Sequence, residues 1–189
     1  MTVTIRDSAV AYQGWLKIRL VRLAGDDGVV FEREIEDHGA GVGVLPYDPD
    51  RRTVLLVQLP RAPVLLAGEA QHLLEVPAGL RAADEDPAEA ARREAHEEAG
   101  VMLGELDHCG RMWSLPGVSS ERMDLYLAAY RAADRTGPGG GLAEEHENIT
   151  VVEMPLAELA ALADRNALLD MKTLVLVQTL RLRRPELFS

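Results

Sequence analysis

The 189 residues suffice for one domain with a substantial core, but not for two full ones. A formal net charge of −11 repels a phosphate backbone, so nucleic acid is not an expected partner, although a small phosphorylated molecule can bind where cations and a few arginines reverse the local field. One cysteine, Cys109, rules out an intramolecular disulfide; no basic region followed by an apolar run opens the chain, and apolar runs such as 54–57 are far too short to span a membrane, so the cytoplasm is the expected compartment.

Residues 15–23 alternate apolar and polar side chains at period two, and 29–35 follow the turn 25–28, which predicts an antiparallel hairpin with one polar face. Such a hairpin is marginal alone in water, so it must pack on the rest of the chain or on a second subunit. Residues 41–46 and 53–59 read as buried strands separated by turn residues at 48–52, and 73–79 read as a third. Further strands are expected over 105–113, 123–131 and 149–154. Helices are expected over 156–164 and 170–182, the second burying Leu174, Val177 and Leu180 or their apolar neighbours. Between the last two strands, a glycine-rich stretch at 136–141 runs into the acidic 142–148, a composition that suits a linker and an active-site loop equally. Trp15 and Trp113 are candidates for stacking on a base, with a core position the simpler reading, and Cys109 reads as a small buried hydrophobe. Strands mixed with helices in this order predict an α/β sandwich.

The most informative stretch lies between the strands at 73–79 and 105–113. Asp86 suits a helix N-cap, Pro87 the first helical position, Glu89 the partner in a capping box and Gly100 the C-cap, which together predict a short helix. On that helix Glu94, Glu97 and Glu98 stand at i, i+3 and i+4, so three carboxylates crowd one face and call for a counter-charge. Hard oxygen ligands of this kind suit Mg²⁺ or Mn²⁺. An arbitrary glutamate-rich helix would instead carry a solvated acidic face. The full spacing decides between the two: Gly79, five residues, Glu85, seven residues, then Arg93-Glu94-Ala95-His96-Glu97-Glu98-Ala99-Gly100. With each residue type at roughly 5–7% usage, its seven fixed positions match at a given start with a probability of about 10⁻⁹.

This pattern resembles the box of the Nudix hydrolases, enzymes that split a nucleoside diphosphate linked to another moiety. The resemblance extends, at lower specificity, from about Glu32 onward. The runs at 74–79 (LEVPAG), 115–122 (LPGVSSER) and 141–149 (GLAEEHENI) look like the ADP-ribose and GDP-mannose pyrophosphatase branch. It implies a Nudix α/β/α sandwich with a mixed sheet over residues 39–189, preceded by a small N-terminal antiparallel strand element over 1–38. It also implies a homodimer whose N-terminal strands are exchanged. The implied reaction is Mg²⁺-dependent hydrolysis, with Mn²⁺ as a substitute, of the pyrophosphate bond of a nucleoside diphosphate sugar. ADP-ribose, giving AMP and ribose 5-phosphate, is the leading expectation, and GDP-mannose or another sugar nucleotide the alternative. A non-catalytic nucleotide-sugar sensor is the alternative of a different class; such sensors usually lack one or more box glutamates, all of which are present here.

By the same resemblance Glu94, Glu97 and Glu98 are metal ligands, joined by the backbone carbonyl of Ala78 and by Glu147. Glu145 is the expected base, and Glu98 belongs with it in the catalytic set. Arg33 and Arg61 are expected at the substrate phosphates, where a planar guanidinium binds bidentately, and Glu121 at the sugar hydroxyls. Arg93 and Glu85 are expected to form a structural ion pair. His96 and His146 occupy variable motif positions and are expected to be exposed or in a polar loop. One departure stands out: Val118 replaces the second glycine that the branch often has in this loop, and a β-branched residue disfavours positive φ, so the loop is expected to differ in shape.

Overall fold

The computed structural model describes residues 2–69, 72–142 and 148–189, and its chain opens with three strands rather than the expected two. β1 (Val3–Gln13), β2 (Lys17–Gly25) and β3 (Val30–Asp37) form an antiparallel sheet in that order. The β2–β3 hairpin keeps an unbroken register from Lys17 opposite Asp37 to Ala24 opposite Val30, as period-two patterning dictates. β1 pairs with β2 through register shifts between Ile5 and Asp7 and between Val10 and Tyr12. Such irregularities break the alternation by which a strand is read from sequence.

The chain divides into two units. One comprises Met1–Ala40 with Met112–Met123, and the other Gly41–Arg111 with Asp124–Ser189. Within the first, the later segment is fastened to the end of β3. Glu36 N–H donates to the Val118 carbonyl at 2.8 Å, Ser120 N–H to the Glu36 carbonyl at 2.9 Å, and the Ser119 hydroxyl to Glu36 Oε2 at 2.5 Å. His38 joins them, bonding Glu36 through Nδ1 and Glu121 through Nε2, the latter at 3.0 Å. Burial alone would lower the His38 pKa, but the bonds from Glu36 and Glu121 outweigh it and raise it above the ordinary imidazole value. Neither tryptophan of this unit is in the core. Trp15 is 80% exposed and stacks on His38, and Trp113 is exposed beneath the Arg122 guanidinium.

In the second unit a seven-stranded mixed sheet carries the central order β10-β5-β4-β9-β8, with β6 added beside β5 and β7 beside β4. The strands are β4 (Ala40–Asp48), β5 (Thr53–Leu59), β6 (Leu73–Glu75), β7 (Ala78–Arg81), β8 (Asp107–Trp113), β9 (Arg122–Ala129) and β10 (Thr150–Pro155). The single strand expected over 73–79 is therefore two. Pro77 cannot donate to a ladder, and at that point the chain leaves β5 for β4, with the Pro77 carbonyl accepting from Val44 N–H at 3.0 Å.

Among the described residues, four α-helices complete this unit: α1 (Ala62–Leu66), α2 (Pro87–Ala99), α3 (Leu156–Asp164) and α4 (Met171–Arg183). The one-turn α1 has no counterpart among the expected elements. Val42, Val44 and Leu55 pack with Ala90, Ala91, Ala95 and Ala99 of α2 in one cluster. Because side chains alternate along a strand, Val54 and Leu56 face the other way from Leu55, and they too are fully buried. Both faces of the sheet are thus covered, and α3 and α4 supply Leu156, Leu159, Leu176 and Leu180, each fully buried and worth about 1.5–3 kcal/mol. On α4 the buried stripe runs through Leu176 rather than Leu174, which is half-buried. Cys109, expected inside, is half-buried on β8. Among the described residues no helix is long and apolar enough to cross a membrane.

Candidate active site

The site is built on α2, and the residues that start and stop this helix are those the spacing named. Asp86 Oδ1 accepts from the N–H groups of Ala88 at 2.9 Å and Glu89 at 3.2 Å, and Pro87 follows at the first position. Glu89 was expected to reach back to the cap, yet its carboxylate pairs forward with Arg92 Nη1 at 2.7 Å. Gly100 closes the helix at φ 66°, and its N–H and that of Val101 return to the carbonyls of His96 and Ala95. The alanines on the inner face let the helix lie close to the sheet, which draws neighbouring glutamates in with it. Glu94 is 8% exposed and Glu98 3%, whereas His96 faces solvent as expected.

Each glutamate of the run is held differently. Glu98 Oε2 accepts the Ala78 N–H at 2.9 Å, fixing the helix against the first residue of β7. The Glu94 carboxyl lies against Gly79, where an added Cβ would stand 2.2 Å from Oε1, so any larger residue at position 79 would displace that carboxyl. Arg93 Nη1 bonds Glu94 at 2.7 Å and Glu97 at 3.1 Å, its Nε meets Glu85 at 2.9 Å, and its Nη2 reaches the Leu80 carbonyl at 3.1 Å. The counter-charge that the crowded carboxylates require is therefore present in the chain itself, along with the expected Glu85–Arg93 pair. Hydrogen bonding to Arg93, aided by the Ala82 N–H, holds the Glu85 carboxyl below its usual range.

These residues also bear on whether a cation belongs here. Among the described residues no three acidic, histidine or cysteine side chains stand in the geometry of a bound ion, since Arg93 holds Glu94 and Glu97. The donor chemistry nevertheless fits a hard divalent ion: three carboxylates lie within about one turn, two of them are buried, and the Gly79 cradle leaves room for the Glu94 carboxyl.

The glycine-rich loop is docked on the last turn of α2. Gly140 N–H donates to the Glu98 carbonyl at 2.8 Å, Gly141 N–H to the Glu97 carbonyl at 3.0 Å, and Thr136 N–H to the Gly100 carbonyl at 2.9 Å. It thereby satisfies carbonyls that a helix end leaves orphaned. A Cβ on Gly139 would fall 2.4 Å from the Glu98 carbonyl oxygen, so the approach depends on glycine. Glu145, Glu147 and His146, which follow, lie outside the described residues.

Arg61 stands at the end of β5, where Nε and Nη2 grip Glu75 at 2.7 and 2.9 Å. Glu75 is 2% exposed and also receives Lys172, which bonds Asp170 at 3.0 Å. Burial alone would raise the Glu75 pKa, but Arg61 and Lys172 together hold it below the usual range. Glu75 and Lys172 are neighbours of Arg61 that the sequence pattern does not single out. An isolated carboxylate inside the apolar run 73–76 is a signal for the first, whereas Lys172 is brought from the start of α4 by the fold alone. Arg33 and Glu121 belong to the other unit. Arg33 lies over the Phe31 ring, 4.7 Å from its centroid, with Nη1 donating to the Glu32 carbonyl at 2.8 Å, and Glu121 is bound to His38.

Comparison with known families matches residues 37–174 to the NUDIX domain. The chain belongs to the Nudix family. A GDP-mannose pyrophosphatase of Cronobacter sakazakii is 34% identical over 164 residues, covering 85% of this chain and 84% of that protein. One from Pectobacterium atrosepticum is 37% identical over 153 residues, covering 80% and 78%. A solved structure titled "Crystal structure of ADP compounds hydrolase" superposes with a TM-score of 0.73 at 20% identity over 97% of both chains, which supports the fold. This Nudix chain is a hydrolase of the branch that holds the ADP-ribose and GDP-mannose pyrophosphatases, and Nudix hydrolases generally use divalent metal ions.

Proposed function

We propose that this Nudix hydrolase cleaves the pyrophosphate bond of a nucleoside diphosphate sugar in the cytoplasm, using Mg²⁺ or Mn²⁺ held on α2. The observation that carries this reading is the intact glutamate run, with Glu94 and Glu98 buried and Glu98 bound to the Ala78 peptide. Glu94, Glu97, Glu98 and the Ala78 carbonyl would hold the ion, with Glu147 as a further ligand. When bound, the ion supplies Lewis acidity to the diphosphate oxygens and to the attacking water. Glu145 takes the proton of that water. Arg61 offers a phosphate the guanidinium edge that Glu75 does not use, Arg33 offers a second guanidinium, and Glu121 binds sugar hydroxyls.

The names of the sequence relatives favour GDP-mannose, giving GMP and mannose 1-phosphate, over ADP-ribose, the leading expectation from the sequence runs alone. Purified protein with Mg²⁺ decides between them through kcat/KM on both compounds and on a panel of other sugar nucleotides. A preference of at least tenfold identifies the substrate. Tight binding of a sugar nucleotide without turnover would replace the enzyme reading with that of a sensor. We also propose a homodimer with exchanged N-terminal strands, since β1 is exposed along its length and leaves Ile5 68% and Tyr12 59% accessible.

A further inference from the structure

One buried hydroxyl lies outside the glutamate run and yet is tied to it through backbone. Thr173, in the first turn of α4, is 0% exposed. Its hydroxyl donates to Asp170 Oδ2 at 2.6 Å, and its own N–H donates to the same oxygen at 2.9 Å. With the proton so committed, the oxygen accepts the Val76 N–H at 2.8 Å. Val76 opens the stretch 76–78 that carries the chain out of β6 and into the first residue of β7, and each of its residues is anchored in turn. The Pro77 carbonyl is held by Val44 N–H at 3.0 Å, and the Ala78 N–H by Glu98 at 2.9 Å. Just upstream, Glu75 is clamped by Arg61 and by Lys172, the neighbour of Thr173 on α4.

We infer that Thr173 is a positioning residue for the cation site: through Val76 N–H it fixes the 76–78 step, and so sets the Ala78 peptide and the Glu98 carboxylate that this peptide orients. The inference rests on the reading that α2 holds a divalent ion. Its logic is that of outer partners at metal sites, which aim the ligands without touching the ion. Val76 is fully buried, so removing the acceptor leaves its N–H without water to turn to, and the step shifts to find another partner. A hydroxyl is required for a specific reason. The site needs one group that donates to Asp170 and accepts from a backbone N–H; valine has the same shape and neither capacity.

The experiment measures Mn²⁺ binding by calorimetry and by the loss of the free-ion electron paramagnetic resonance signal. It uses the wild-type protein, Glu98→Gln, Thr173→Val and Thr173→Ser, with thermal unfolding run alongside. The expected result is that Thr173→Val weakens Mn²⁺ binding about tenfold or more while Thr173→Ser stays within about threefold of wild type. Failure of the wild-type protein to bind Mn²⁺, or indifference to Glu98→Gln, would sink the cation reading itself. Wild-type affinity in a folded Thr173→Val, with the Glu98→Gln control behaving, overturns the role of Thr173 alone. Should Thr173→Val not fold, amide exchange of the metal-free wild-type protein tests the same role. The Val76 and Ala78 amides should exchange as slowly as those of Val42 and Val44 in β4, and loop-like exchange at Val76 would overturn the inference.

Discussion

Glu98 is both a buried carboxylate and the acceptor that ties α2 to β7, and these two roles separate under substitution. A glutamine at this position keeps an oxygen for the Ala78 N–H, which stands 2.9 Å away, but brings no charge. Glu98→Gln is therefore expected to unfold near the wild-type temperature while losing about 100-fold or more in the initial rate with Mg²⁺; a rate within a few-fold of wild type would remove Glu98 from the chemistry. Arg93 lends itself to a test by pH. Its hydrogen bond lowers the folded-state pKa of Glu85 below the ordinary 4.5, so the stability contributed is present above that value and is lost as pH falls through the folded pKa. Chemical denaturation between pH 3 and 7 should thus show a shallower acid loss in Arg93→Met than in the wild type. The pair is partly exposed, so solvent screening keeps the difference small.

At the level of elements, α2 is legible to its ends because its signals are local: a cap, a proline, a stop glycine and three carboxylates at helical spacing all lie within fifteen residues. Strand β5 is legible for the same reason, as an unbroken apolar run between turns. β1 is not, because its register shifts scramble the alternation, and the break at Pro77 is hidden inside a run that stays apolar on both sides. Tertiary contacts are harder still to read. Nothing near Val76 announces that its N–H will be met by Thr173, 97 residues later. The composition of the glycine-rich loop suits a linker and an active-site loop alike, and nothing in it announces the seat that residues 136–141 take on the carbonyls of Glu97, Glu98 and Gly100. Gly100→Ala tests that seat. The position needs φ 66°, and a Cβ there would come 2.2 Å from the Gly137 carbonyl oxygen. Urea denaturation should report a loss of about 1–3 kcal/mol from backbone strain alone.

For the whole molecule, the family and the reaction type follow from a motif of about twenty residues, whereas the substrate does not. Arg33, Arg61 and Glu121 lie far apart in the sequence, so no single stretch contains the proposed sugar and phosphate contacts. The proposed dimer is open to sedimentation equilibrium. A mass about twice the 20.7 kDa of one chain is expected, and removal of β1 should return it to a monomer; a full-length monomer would withdraw the exchanged-strand arrangement. The net charge of −11 makes self-association salt-dependent, and added salt should favour the dimer by screening that repulsion.

The first unit is not contiguous in the chain, and this shapes how it is made. On a ribosome the three-stranded sheet emerges early, but the segment Met112–Met123, which supplies Ser119, Ser120 and Glu121 to the end of β3, follows about seventy residues behind. At about 5–20 residues per second the nascent sheet waits roughly 4–14 s for it. During that interval Glu36 and His38 lack the partners that the later segment brings. Synthesis stalled just before residue 112 would leave the sheet open at this end.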